Sequence, residues 1–362
     1  MASSDVRYGI VGAGMMGLEH FRNLRALPGA AVTAVADPYE PSVDLARLTA
    51  ADDALACFAT HEELLASGLV DAVVVASPNM THAAVLRDVL ASSLPVLVEK
   101  PLCTTIDDCR MVVEAAATRD AIVWVGLEYR YMPPVARLIE AVRSGAVGRT
   151  RMVAIREHRF PFLPKVGDWN RFNRNTGGTL VEKCCHFFDL MNHIVGAAPD
   201  RVFASGAQDV NHLEERYDGE VPDILDNAFV VVDYAGGTRA MLDLCMFAEG
   251  SHNMEELAVT GDAGKVEAFL PSCELRVGRR GAFRGEVRSE IVHDERVAHE
   301  GFHHGSSYLE HVDFLAAVRD GGPPAVGVEE GLLAVAVGAA AHRSIDDGRV
   351  VTMAEVLGDP SA

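Results

Sequence analysis

Arg7-Tyr8-Gly9-Ile10-Val11-Gly12-Ala13-Gly14-Met15-Met16-Gly17 decides the fold of the first half of the chain. A short strand-like run meets a G-x-G-x-x-G turn, and an amphipathic stretch follows to about Leu27. In that strand–turn–helix context each glycine has its own task. Gly12 permits the tight turn, Gly14 lets backbone approach a pyrophosphate, and Gly17 lets helix and strand pack closely. The helix start, with Met15 and Met16, aims its N–H groups at the phosphates. The next strand-like run, Val32-Thr33-Ala34-Val35-Ala36, ends at Asp37, 20 positions after Gly17. A carboxylate there accepts both hydroxyls of an adenosine ribose and repels a 2′-phosphate. No cation follows in Pro38-Tyr39-Glu40, so NAD is favoured over NADP. The competing role for Asp37 is a cap on the helix from Pro41, and the spacing argues against it.

The alternation continues. Asp71–Ala76 reads as a third strand leading into Ser77-Pro78-Asn79-Met80-Thr81-His82. Strands near 95–98 and 121–125 alternate with helices near 81–91 and 105–118. This pattern predicts an α/β Rossmann domain, a doubly wound parallel sheet with ligands at the strand C-termini. Ser77, Pro78, Asn79 and His82 are therefore candidate cofactor contacts, whereas Thr81 reads better as a helix cap. Val96-Leu97-Val98 closes on Glu99-Lys100-Pro101. Proline restricts the backbone of Lys100 and admits a cis peptide at low cost. Burial and a nearby nicotinamide cation both disfavour the lysine's charge. Such an amine can take a proton from an alcohol or return one to a carbonyl. Glu99 is a candidate for the nicotinamide ribose. A surface Glu-Lys pair at a strand end is the plain alternative, and these three residues do not decide between the two.

The second half predicts an α+β domain. Gly178 to about Val195 has a helical pattern, entered through Gly177-Gly178. Glu182 and His186 stand four apart, on one helical face, and Asp189 and His193 continue the stripe. A carboxylate beside an imidazole fixes its tautomer and raises its proton affinity. Lys100, His186 and Glu182 are thus an expected proton relay, or a clamp on vicinal hydroxyls. Lys183 faces either substrate or a surface salt bridge. The spacing is not H-E-x-x-H and no cysteine pair accompanies it, so no metal is expected.

Arg151–Phe160 reads as a long strand leading to Asp168-Trp169-Asn170-Arg171-Phe172-Asn173-Arg174. An indole face, amides and guanidinium groups suit a sugar, with Trp169, Asn170 and Arg171 foremost and His158 and Arg159 behind them. The alternative is a loop packed on the sheet by Trp169 and Phe172. Runs at 201–207, 227–234, 238–247, 255–260, 264–270, 273–279 and 286–292 predict a large open, mostly antiparallel sheet. One face should pack on helices and the other on a second subunit. His303 and His304 precede a helix from about Ser307 and border either the pocket or its entry loop.

Length and charge set the outer bounds. The 362 residues accommodate two domains, which we divide as 1–126 for NAD and 127–362 for substrate and oligomerisation. A formal charge of −20 argues against nucleic acid. The apolar tract from Gly331 to Ala341 is too short for a bilayer, and the start lacks a signal-length apolar segment. Seven cysteines without a C-x-x-C pair lead us to expect reduced thiols and a cytoplasmic protein.

Four further motifs accompany the glycine loop: Ser77-Pro78-Asn79, Val98-Glu99-Lys100-Pro101, Val125-Gly126-Leu127-Glu128-Tyr129-Arg130-Tyr131, and Gly177–Asp189. On these the chain resembles, over nearly its whole length, the glucose–fructose oxidoreductase and inositol dehydrogenase (Gfo/Idh/MocA) family. The resemblance implies NAD(P)-dependent oxidation or reduction of sugars, cyclitols and related polyols. It implies that Lys100 is the catalytic lysine and that His186 lies near the reacting hydroxyl. Glu128 and Arg130 become candidates for cofactor and substrate contact. Two positions depart from the pattern: Glu182, followed by Lys183, replaces a common aspartate, and Glu128 a common asparagine. The leading expectation is an NAD-dependent dehydrogenase of a sugar, cyclitol or aminosugar hydroxyl, working as a homodimer or homotetramer. An NAD-dependent glycosidase acting by transient oxidation and elimination, and a redox-silent dinucleotide sensor, are the alternatives.

Overall fold

The structure, a computed structural model, describes residues 5–51, 54–281, 283 and 285–358. In chain order it begins β1 (Val6–Val11), α1 (Met15–Ala26), β2 (Ala30–Ala36), α2 (Glu40–Ala50), β3 (Ala56–Phe58), α3 (His61–Ala66) and β4 (Ala72–Val75). It continues α4 (His82–Ala91), β5 (Val96–Glu99), α5 (Ile106–Ala116) and β6 (Val123–Gly126). The six strands are parallel, in the order β3-β2-β1-β4-β5-β6. Chain direction across the sheet reverses between β1 and β4, the place where such sheets open a ligand crevice. Val73, Val74, Val75, Val96, Leu97 and Val98 are completely buried. Helices on both faces account for these unbroken apolar runs, and each buried side chain contributes about 1.5–3 kcal/mol. Side chains of Thr60 and Thr105 cap α3 and α5.

The chain goes on through α6 (Pro133–Arg143), β7 (Thr150–His158), α7 (Asn173–Thr176), α8 (Thr179–Glu182) and α9 (Cys185–Val195). There follow β8 (Pro199–Ala207), β9 (Asn227–Tyr234), β10 (Arg239–Cys245), β11 (Glu255–Gly261), β12 (Gly264–Leu270), β13 (Glu274–Arg279) and β14 (Glu286–Ile291). The end holds α10 (Ser306–Asp320), α11 (Val328–Asp347), β15 (Val351–Thr352) and α12 (Met353–Leu357). A nine-stranded sheet runs β14-β13-β12-β11-β7-β10-β9-β8-β15. Its pairs are antiparallel except β7 with β10. Strands β9 and β10 alternate buried and exposed, as a sheet with one covered face must. Phe203, Val231 and Met241 line up in register across β8, β9 and β10 on the exposed face.

Two compact units result: 1–128 with 165–169 and 295–332, and 129–164 with 170–294 and 333–362. Segments 165–169 and 295–332 thus pack in the first unit although the linear division puts them in the second. Among the described residues no helix is long and apolar enough to cross a membrane. The helix expected from Gly178 to Val195 is two helices. The ladder breaks at Lys183-Cys184, where Cys184 N–H bonds Thr179 O and α9 restarts. Glu182 and His186 therefore lie on separate helices and not on one continuous face.

Candidate active site

In the first unit the glycines meet the steric demands read from their spacing. Gly12 has φ +91°, and a Cβ there would lie 2.6 Å from Ala76 O and Ser77 N. A Cβ on Gly17 would sit 1.9 Å from Gly12 O, whereas one on Gly14 meets nothing within 4 Å. The turn is thus closed at Gly12 and Gly17 and open at Gly14, and Met15 and Met16 begin α1 without a side-chain cap. Asp37 Oδ2 accepts the Ala13 N–H at 2.7 Å and Oδ1 the Tyr39 N–H at 2.8 Å. These bonds fix the carboxylate just after β2, and each oxygen has a second acceptor position.

At the ends of β4 and β5 the expected contacts divide. Ser77 Oγ lies 2.7 Å from Thr81 Oγ1, which donates to Pro78 O, so Thr81 ties the loop and does not cap α4. Asn79 is buried in the same turn. His82 is fully buried, with Nδ1 2.9 Å from Pro101 O and Nε2 3.0 Å from Ser77 O. It clips the two loops together and does not open toward solvent. Lys100–Pro101 is cis. Glu99 Oε1 lies 2.9 Å from His20 Nε2, and Oε2 accepts the Lys100 N–H at 3.1 Å. Burial raises the Glu99 carboxyl, but the His20 hydrogen bond and the fields of His20, Lys100 and His303 outweigh it and hold the group below the ordinary carboxylate range. Glu128, also buried, lies 3.3 Å from His303. Trp169 is half-buried in a turn where Gly167 and Asp168 both have positive φ.

In the second unit one buried charged cluster surrounds Tyr129. Lys183 Nζ donates to Tyr129 OH at 2.6 Å and pairs with Glu157 at 2.9 Å. Arg159 reaches the same Glu157 oxygen at 3.3 Å. Glu255 faces Glu157 across β11 and β7. Burial, with the Glu157 charge added and Lys183 and Arg159 opposing, pushes the Glu255 carboxyl up to about 7. The His186 ring stacks on Tyr129 at 4.0 Å and 6°. Glu182 is buried at the end of α8. Lys183 is 4% exposed, so the surface salt bridge weighed for it is replaced by an interior pair.

Other expected substrate contacts are engaged elsewhere. Arg130 makes a buried two-pronged pair with Asp189, at 2.7 and 2.5 Å. Asn170 donates to Leu163 O at 3.0 Å, and Arg171 pairs with Glu215 at 3.1 Å. Both are buried, the loop-packing role weighed against sugar contact. The sequence reading overlooked Glu157, although its register was visible: Val153, Ile155 and Glu157 alternate inward along β7. It also overlooked His20, beside Phe21 on the buried stripe of α1, and Tyr129 as a stacking partner. A buried polar residue in an apolar stripe is the signal that would have found the first two.

Residues 6–127 match the NAD-binding Rossmann fold of an oxidoreductase family, and residues 139–353 match its C-terminal alpha/beta domain. A myo-inositol 2-dehydrogenase of Thermotoga maritima is 28% identical over 98% of this chain and 100% of its own length. The crystal structure of a probable dehydrogenase from Thermotoga maritima has a TM-score of 0.79 at 26% identity, covering 97% of this chain and 100% of that one. Levoglucosan dehydrogenase with NADH and levoglucosan has a TM-score of 0.84, covering 96% and 99%; at 19% identity this likeness speaks to the fold alone. The chain belongs to the Gfo/Idh/MocA oxidoreductases and takes NAD as its cofactor.

Proposed function

We propose that the protein is an NAD-dependent dehydrogenase, or in reverse a reductase, of a secondary hydroxyl on a sugar, cyclitol or aminosugar. The observation that carries the reading is a lysine directly after β5, the backbone N–H of Lys100 held by Glu99, in a chain matched end to end by a myo-inositol 2-dehydrogenase. NAD, when bound, supplies the hydride acceptor. Lys100 takes the hydroxyl proton, and His186, its ring fixed by Tyr129, orients the oxygen. Gly12, Gly14, Gly17 and the start of α1 hold the pyrophosphate, and Asp37 the adenosine ribose. Ser77, Pro78, Asn79, Glu99 and Glu128 border the nicotinamide end. Trp169 and the Lys183–Arg159 cluster border the substrate.

The same reading makes the exposed face of the nine-stranded sheet a contact with a second copy of the chain, in a cytoplasmic homo-oligomer. Phe203, Val231 and Met241 form an apolar row between charged pairs Arg201–Asp233 and Arg156–Asp243, a self-complementary pattern. Light scattering of Val231→Lys should report a smaller particle; an unchanged mass sinks this part.

The activity test follows nicotinamide absorbance with a panel of polyols and aminosugars, beside Lys100→Met. NADH formation by the wild type alone supports the reading. Wild-type-like turnover by Lys100→Met removes the lysine's role, and release of sugar from glycosides without net NADH turns the assignment to a glycosidase.

A further inference from the structure

Helix α1 buries two polar side chains in succession. Glu19 accepts the Phe302 N–H at 3.2 Å, and His20 sits between Glu99 and α10. His20 Nδ1 lies 2.8 Å from His311 Nε2, and His20 Nε2 lies 2.9 Å from Glu99 Oε1. His311, His20 and Glu99 are 0, 1 and 5% exposed. A carboxylate only accepts, so His20 Nε2 carries the proton of that bond and its other nitrogen is left to His311. Burial first, then His20, holds His311 far below its ordinary proton affinity, so it stands behind His20 as a neutral polar stop. Glu99 is thus faced by His20 from α1, His82 from α4, Lys100 beside it and His303 from the loop before α10, with His311 one ring away.

We propose that His20 and His311 are positioning residues that hold Glu99 as an oriented, buried carboxylate, and that this anion makes the site bind oxidised, cationic nicotinamide in preference to the neutral reduced ring. The proposal rests on the reading above, in which Glu99 borders the nicotinamide. The topology supports that placement. Asp37 ends β2 and the glycine turn follows β1, so a dinucleotide laid along the strand ends extends from β2 past β4 toward β5 and β6. A fixed anion there attracts a pyridinium and gains nothing from its reduced form. By linkage, each tenfold preference makes the bound couple a stronger reductant by about 30 mV. The residues therefore bias the enzyme-bound equilibrium toward reduction of a ketone.

The test is calorimetric binding of NAD, NADH and ADP-ribose, without any polyol, to the wild type, Glu99→Gln, His311→Leu and His311→Gln. The wild type should bind NAD more tightly than NADH. Glu99→Gln should shrink that ratio roughly tenfold while ADP-ribose affinity stays constant. His311→Leu should move the ratio the same way, and His311→Gln, whose amide still reaches His20, should restore it. An unchanged ratio in Glu99→Gln overturns the proposal. A wild-type ratio in His311→Leu overturns the role of the histidines. If His311→Leu does not fold, Glu99→Gln carries the test. A ratio that shifts in a protein turning over no polyol counts against the dehydrogenase reading and leaves this inference standing.

Discussion

Glu255 offers a quantitative test of the charged cluster around Tyr129. Its carboxyl is buried against Glu157, which raises it from an ordinary 4.5 to about 7. Below pH 4.5 the group is neutral folded and unfolded alike. Between 4.5 and about 7 the folded protein keeps a proton that the unfolded chain has released, so stability falls as pH rises through this window and levels off above it. At about 1.4 kcal/mol per pH unit, the loss attributable to Glu255 is about 3 kcal/mol. Glu255→Gln removes the titration while keeping the shape. Urea denaturation followed by circular dichroism should show variant and wild type within about 1 kcal/mol at pH 5. At pH 8 the variant should be more stable by about 3 kcal/mol. Curves that stay parallel from pH 5 to 8 would mean that Glu255 ionises in the fold as readily as in water.

Four further outcomes follow from the geometry. Gly17→Ala forces a Cβ to within 1.9 Å of Gly12 O, so it should abolish NAD binding by calorimetry and lower the melting temperature. Gly14→Ala meets no protein atom within 4 Å and should leave melting unchanged while weakening NAD roughly tenfold or more. Asp37→Ala should lose roughly tenfold in NAD affinity and narrow the gap to NADP, measured by the two dissociation constants. Arg130→Met leaves Asp189 buried without its guanidinium and should cost about 3–5 kcal/mol in urea denaturation, with no recovery in Arg130→Lys, which cannot make the two-pronged contact.

The parallel sheet, apart from its short edge strand β3, was legible because its signals are local. β1 with its glycine turn, the valine run of β4 and the Glu99-Lys100-Pro101 corner each declare themselves within a few residues. The strands of the nine-stranded sheet were also legible from their alternation, from β8 to β14. What escaped depends on contacts between distant segments. The break at Lys183-Cys184 cannot be read from periodicity, since Thr179–Glu182 and Cys185–Val195 are each helical. Glu157 meets Lys183, and His20 meets His311, only after folding brings their elements together. Asn170 and Arg171 have the residue types of a sugar site, yet the fold directs them to Leu163 and Glu215. Composition names the chemistry available; tertiary pairing decides which groups remain for substrate.

The acid–base assignment is tested most directly by a crystal structure with NAD and a polyol that is turned over. Lys100 Nζ and a His186 ring nitrogen should each lie within about 3 Å of the same carbinol oxygen. Two groups opening onto separate cavities, or a substrate oxygen held by neither, would end the assignment of both residues.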